Sequence, residues 1–126
     1  MSVGVSAGLR VGILDSNVSS EPNIVIDTRD VATPINCPVG ARQDDVALPA
    51  GTANAPLTGP VSVVTAAVII ICNPALGGCT DLTVAVGTGP AQSIPLGQCW
   101  MAYNVAPGSV VVSTVLGGKI LTVVGG

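Results

Sequence analysis

The chain has 126 residues, a net charge of −3, 9% charged residues and 2% aromatic residues, a length that suits one domain or one domain plus an arm. It has no basic stripe and no aromatic ladder, which removes the electrostatic and stacking terms of nucleic-acid binding, and it has no polybasic patch for a membrane surface. Histidine is absent, which excludes Ser-His-Asp and Cys-His catalysis and His-ligated metals.

The composition points to an all-β fold. Phe is absent, and Val (21), Ile (9) and Thr (10) supply 40 β-branched residues, which are stiff at χ1 and fit a pleated sheet. Gly (16) and Pro (10) recur so often that only 23–33 and 61–73 run longer than ten residues without either, and a long helix has almost nowhere to form.

Along the chain, the first ten residues, MSVGVSAGLR, hold no cationic n-region or continuous apolar h-region, so Sec-type export is not expected. Residues 1–60 carry nine charges: Arg10, Asp15, Glu21, Asp27, Arg29, Asp30, Arg42, Asp44 and Asp45. They read as an irregular N-terminal arm or subdomain, with short strands at 9–14, 23–27 and 46–48. The stretch PAGTANAPLTGP (49–60) reads as a linker or extended arm. Residues 61–126 then read as a compact β-sandwich domain.

Val61 opens a run, 61–72, that is apolar on both faces. Twelve residues are too few to span a bilayer as a helix. One face should pack into a core, while the other meets a second layer of the same chain or another subunit. The turn NPALGG (73–78) follows. Residues 79–86 alternate cleanly, with Leu82, Val84 and Val86 on one side and Asp81, Thr83 and Ala85 on the other. Strands are also expected at 98–104, 109–116 and 119–124, and Gly117-Gly118 should join the last two as a tight hairpin.

Residues 61–126 carry only Asp81 and Lys119 as charges, whereas ordinary domains carry charge on about a quarter of their residues. Part of what would be surface is therefore expected to be interface. Val64, Val68 and Ile70 on the doubly apolar run are candidate interface residues, and so are the two aromatics, Trp100 and Tyr103. Core filling is the alternative for the aromatics.

The pair Asp44-Asp45 diverges on a strand and is not expected to form one catalytic site. Asp27-Thr28-Arg29-Asp30 reads as a solvated turn with a local ion pair. The acidic residues of the first half lack the spacing of a calcium loop, and Asn17-Val18-Ser19 matters only as a glycosylation acceptor in a secreted chain. The cysteines Cys37, Cys72, Cys79 and Cys99 lack the close pairs of a zinc site. Buried thiols acting as small hydrophobes are the first expectation, and a Cys72–Cys79 disulfide across the NPALGG turn is the alternative. No catalytic, cofactor-binding or metal-binding residue is assigned, and no cofactor is expected.

From residue 61 on, the pattern resembles small β-sandwich virion proteins of tailed bacteriophages, the capsid decoration, cement and head-fibre-like subunits. The residues carrying it are the opening strand 61–72, Asn73-Pro74, the alternating strand Leu82-Thr83-Val84-Ala85-Val86, the turn Ile94-Pro95-Leu96-Gly97 and the closing pair of strands within 109–124. Ala75-Leu76-Gly77-Gly78 stands where an Arg often follows the Asn-Pro turn. The resemblance implies a jelly-roll-like β-sandwich or small β-barrel that is made in a host cytoplasm and sits on the capsid surface of a virion. It also implies binding to the major capsid protein or other virion subunits, as a homo-oligomer whose trimer would match threefold lattice positions. The rival reading is a β-sandwich adhesion or ligand-binding module, Ca-dependent in one version. An enzyme is not expected, because no nucleophile–base pair can be assembled.

Overall fold

The computed structural model describes residues 9–15, 22–28 and 31–126, with side chains from residue 36 onward. Eleven strands occur among the described residues, and one 3-10 turn at Pro107–Ser109 is the only helical element there. No helix among them is long and apolar enough to cross a membrane. The first three strands, β1 (Leu9–Asp15), β2 (Pro22–Thr28) and β3 (Val31–Asn36), pair antiparallel in the order β1-β2-β3.

The other eight make two four-stranded sheets. The long sheet has the order β4-β11-β6-β9 and consists of β4 (Ala41–Leu48), β6 (Ala66–Asn73), β9 (Gln98–Val105) and β11 (Gly118–Gly125), each of 8 residues. The short sheet has the order β5-β10-β7-β8 and consists of β5 (Thr52–Pro56), β7 (Thr83–Val86), β8 (Gln92–Ser93) and β10 (Val110–Thr114). All pairings are antiparallel. The first strand of the eight pairs with the last, the second with the seventh, the third with the sixth and the fourth with the fifth. This nested order is that of an eight-stranded jelly roll, so the all-β, jelly-roll-like expectation holds.

Two expectations about organisation do not. The sandwich begins at Ala41, because β4 pairs along its whole length with β11 and β5 pairs with β10. A boundary at residue 60 would remove one edge strand from each sheet, and the segment 49–60 contains β5. The Pro/Gly/Thr composition that suggests a linker instead reflects an edge strand. There, proline at Pro56 and an extra residue near Asn54 (φ 49) are tolerated. The second correction concerns Gly117-Gly118, which does not close a hairpin. β10 and β11 lie in different sheets, and the turn carries the chain across the sandwich. Gly117 has φ 84, and a Cβ there would come within 2.9 Å of the Leu48 carbonyl oxygen and the Ala50 nitrogen, so glycine is required for both reasons.

The core lies between the sheets. Ile69 and Ile71 of β6, Ile120 and Val124 of β11, Leu82, Val84 of β7, and Val110 and Val112 of β10 meet there. A second cluster lies on the outer face of the long sheet, where Val68, Ile70 and Val123 pack with Cys37, and Ala41 and Cys72 flank them. Val68 and Ile70 have no exposed surface. Of the doubly apolar run 61–72, only the part from Ala66 on is a central strand buried on both faces within one chain; Val61 and Val64 are exposed in the loop before it, and β1 and β2 approach the long sheet at β4.

Candidate interaction surfaces

Burial sorts the expected interface residues. Val68 and Ile70 are sealed inside the chain and are not a docking surface. Trp100 points inward from β9 and packs against the main core, and its Nε1 donates to Gln92 Oε1 at 3.0 Å. It closes the flank between β9 and β8, the core-filling alternative for an aromatic. Val64 is exposed, in the loop before β6, and Tyr103 is 54% exposed on the outer face of β9. The structure therefore leaves two of the five as surface: Tyr103 stands opposite the buried Val68 across β9 and β6, and Val64 lies apart in the loop.

The cysteines pair differently from the Cys72–Cys79 alternative. Cys72 is bonded to Cys99, its direct cross-strand neighbour, with Cα atoms 4.1 Å apart. Cys79 leads toward β7, in the opposite sheet from β6, and its side chain packs in the core between the sheets. Burial pushes the Cys79 thiol up, hydrogen bonding with Thr114 opposes that, and the Asp81 charge adds to the rise. Cys37 and Cys79 stay outside the disulfide as buried side chains. For these two, the reading of thiols as small hydrophobes is what the structure shows.

One end of the sandwich is built from loops 49–51, 74–82, 94–97 and 115–117, and two polar residues fasten them. Asn73 is buried. Its Nδ2 donates to the carbonyls of Cys79 and Ile94, both at 2.7 Å, and its Oδ1 accepts from Cys79 N at 2.8 Å. Its own carbonyl accepts from Gly97 N at 2.7 Å. Asp81 accepts from Thr114 Oγ1, from Val115 N at 2.7 Å and from Leu116 N at 3.3 Å. The Thr114 hydroxyl and then the Val115 amide hold the Asp81 carboxyl below the usual carboxylate range. Sequence reasoning treated Asn73 as turn punctuation and Asp81 as one face of a strand. Nothing local signals partners 6 to 35 residues away.

These anchors hold aliphatic side chains out into solvent. Leu76 is 91% exposed, Val115 72% and Leu116 68%, and Leu96 lies beside them on the neighbouring loop. Gly78 lets Leu96 approach, since a Cβ there would lie 2.8 Å from Leu96 Cδ2. The charges nearby are Asp81, engaged as described, and Lys119, whose N donates to Gly77 O. The sequence showed the missing charge but could not say which loops share an end.

Among the described residues no three His, Cys, Asp or Glu side chains come together as a metal site requires. Arg42 pairs with Asp44 on β4 at 2.7 Å. Asp27 and Thr28 are in β2, while Arg29, Asp30 and the Asn17-Val18-Ser19 motif lie outside the described residues. Comparison with protein-family models, with curated proteins and with solved structures found no match to this chain.

Proposed function

We propose that the chain is a structural virion protein that binds a viral capsid, through the major capsid protein or other virion subunits, and stabilises the particle. The observation that carries this reading is the apolar end whose loops Asn73 and Asp81 fasten. Leu76, Leu96, Val115 and Leu116 stand exposed on adjoining loops, and a monomer rarely presents such a patch without a partner. Binding there would come from apolar burial and not from charge. The fold agrees by analogy, because jelly rolls serve both as capsid and as lectin domains. A structural and not catalytic role also fits the polar inventory. Asp81 is committed to Thr114, Val115 and Leu116, two cysteines are in a disulfide, and the Cys79 thiol is buried with a raised pKa.

The test is to purify particles from the source culture by density gradient and to quantify this chain by mass spectrometry. A fixed ratio to the major capsid protein in the particle band supports the reading. The double substitution Val115→Asp with Leu116→Asp should lower copies per particle at least about tenfold, equivalent to about 1.4 kcal/mol, with the fold intact. Recovery of the chain only outside the particle band, or glycan binding by the purified chain, would replace this reading with that of an adhesion module.

A further inference from the structure

The geometry points to β9 as the strand through which two copies of this chain join, edge to edge, about a twofold axis at Met101. This goes beyond the virion reading and does not depend on it. The sandwich has four edge strands, β4, β9, β5 and β8, and three of them are guarded. β4 carries Arg42, Asp44 and Asp45, β5 has an irregularity at Asn54 and Pro56, and β8 is 2 residues long. Charge, bulges, proline and brevity are the devices that stop edges from pairing. β9 has none of them from Gln98 to Tyr103, and the left-handed residue Asn104 (φ 56) comes only after that stretch.

The main-chain groups that β9 offers follow from its pairing with β6. Opposed residues of an antiparallel pair alternate between a hydrogen-bonded pair, Cα atoms about 5.5 Å apart, and a non-hydrogen-bonded pair, about 4.5 Å apart. Cys72 and Cys99 are opposed with Cα atoms 4.1 Å apart, so theirs is a non-hydrogen-bonded pair. Ile70↔Met101 and Val68↔Tyr103 have the same phase. The N–H and C=O groups of Cys99, Met101 and Tyr103 therefore point off the sheet, with no strand beyond them among the described residues.

A second copy fits this edge, because the edge complements itself. Antiparallel pairing about Met101 sets Met101 against its symmetry mate and Cys99 against Tyr103 in both directions. All three open residues are used before the kink at Asn104. Three hydrogen-bonded pairs exchange about six main-chain bonds, and no charge faces a like charge because the segment has none. Met101 and Tyr103, both exposed on the outer face, would extend the apolar outer surface across the axis, and a thioether adapts readily to its own mate. The product is an isologous dimer with a continuous eight-stranded sheet, in place of the trimer that a threefold lattice position suggests.

Two variants of the full chain test this. Met101→Pro removes an outward N–H and no bond to β6, the one way an edge strand tolerates proline. Met101→Lys sets like charges across the axis. Mass by analytical ultracentrifugation over a dilution series, with residue-resolved amide exchange, gives the readout. The expected result is twice the chain mass for the wild type, with slowed exchange at Cys99, Met101 and Tyr103. At least one folded variant should be a monomer that loses that protection about tenfold or more while its far-UV circular dichroism stays that of the wild type, and its melting temperature should no longer rise with protein concentration. A monomeric or trimeric wild type, a dimer that persists in every folded variant, or unfolding of both variants would overturn the proposal.

Discussion

The two sheets of the sandwich are built to different rules. The short sheet keeps one face in the core and the other toward solvent. In β7, Val84 is buried while Thr83 and Ala85 are partly exposed, and in β10 Val110 and Val112 are buried while Val111 and Ser113 are not. The long sheet is covered on both sides in its middle, where Ile69 and Ile71 point into the main core and Val68 and Ile70 are equally sealed on the outer face. One-sided sheets produce alternation and two-sided strands produce continuous apolar runs. A charge-poor sequence is therefore ambiguous, since part of the missing surface charge is a buried second face, and only the remainder is left for the interfaces we propose at the sandwich end and the β9 edge.

The largest expected effect separates the two sheets. Ile70→Asp places a carboxylate in a sealed apolar cluster without a partner and should cost more than about 4 kcal/mol, enough to unfold a small domain. Urea denaturation measures it, and a folded variant that only changes assembly would return Ile70 to the surface. Next is Asn73→Ala. It strands the Cys79 amide and the Cys79 and Ile94 carbonyls in a buried site, at a cost of about 3 kcal/mol by the same measurement.

That pair of residues marks how much of the fold was legible in the sequence. The class was readable because β-branched residues and Gly/Pro spacing leave no other choice, and the alternation at Leu82 to Ala85 gave one strand with its facing. The pairings were not readable. Apart from β7 and β8, each strand of the sandwich crosses to the other sheet before the next begins, so neighbours in sequence are not neighbours in space. Local turn logic consequently linked β10 to β11 and offered Cys79 as the alternative partner of Cys72, whereas the nested order brings Cys72 to Cys99 from 27 residues away. Strand β5 and most of β4, beyond the short stretch expected at 46–48, escaped for a related reason. As edges they carry Arg42, Asp44 and Pro56, the residues that argue against a strand when no position in a sheet is known.

A smaller effect should appear with pH. The Asp81 carboxyl is held below its ordinary value by Thr114 and Val115, so the unfolded chain binds its proton at higher pH than the folded one. The stability it contributes is complete above the unfolded pKa and is lost as pH falls through the folded value, in the acid range below the usual carboxylate titration. Asp81→Asn should abolish this part of the acid dependence and lower the melting temperature at neutral pH. An unchanged acid profile would remove Asp81 from its role as the fastener of loop 115–117. The smallest effect belongs to the open face of the short sheet. Ala85→Lys should change stability by about 0.5 kcal/mol or less, and a loss comparable to that of Ile70→Asp would mean that this sheet too is covered.

The most direct measurement of the sealed outer face uses a cysteine already in place. Cys37 packs on Val68, Ile70 and Val123 with no exposed surface, while Cys79 lies in the core between the sheets. Maleimide labelling of the native, non-reduced chain, resolved by mass spectrometry of the two peptides, compares both sites in one sample. If the chain closes its own long sheet, Cys37 and Cys79 label together, and only at the rate of global unfolding. Rapid labelling of Cys37 while Cys79 stays protected would show the outer face of β6 open to solvent and would contradict the account.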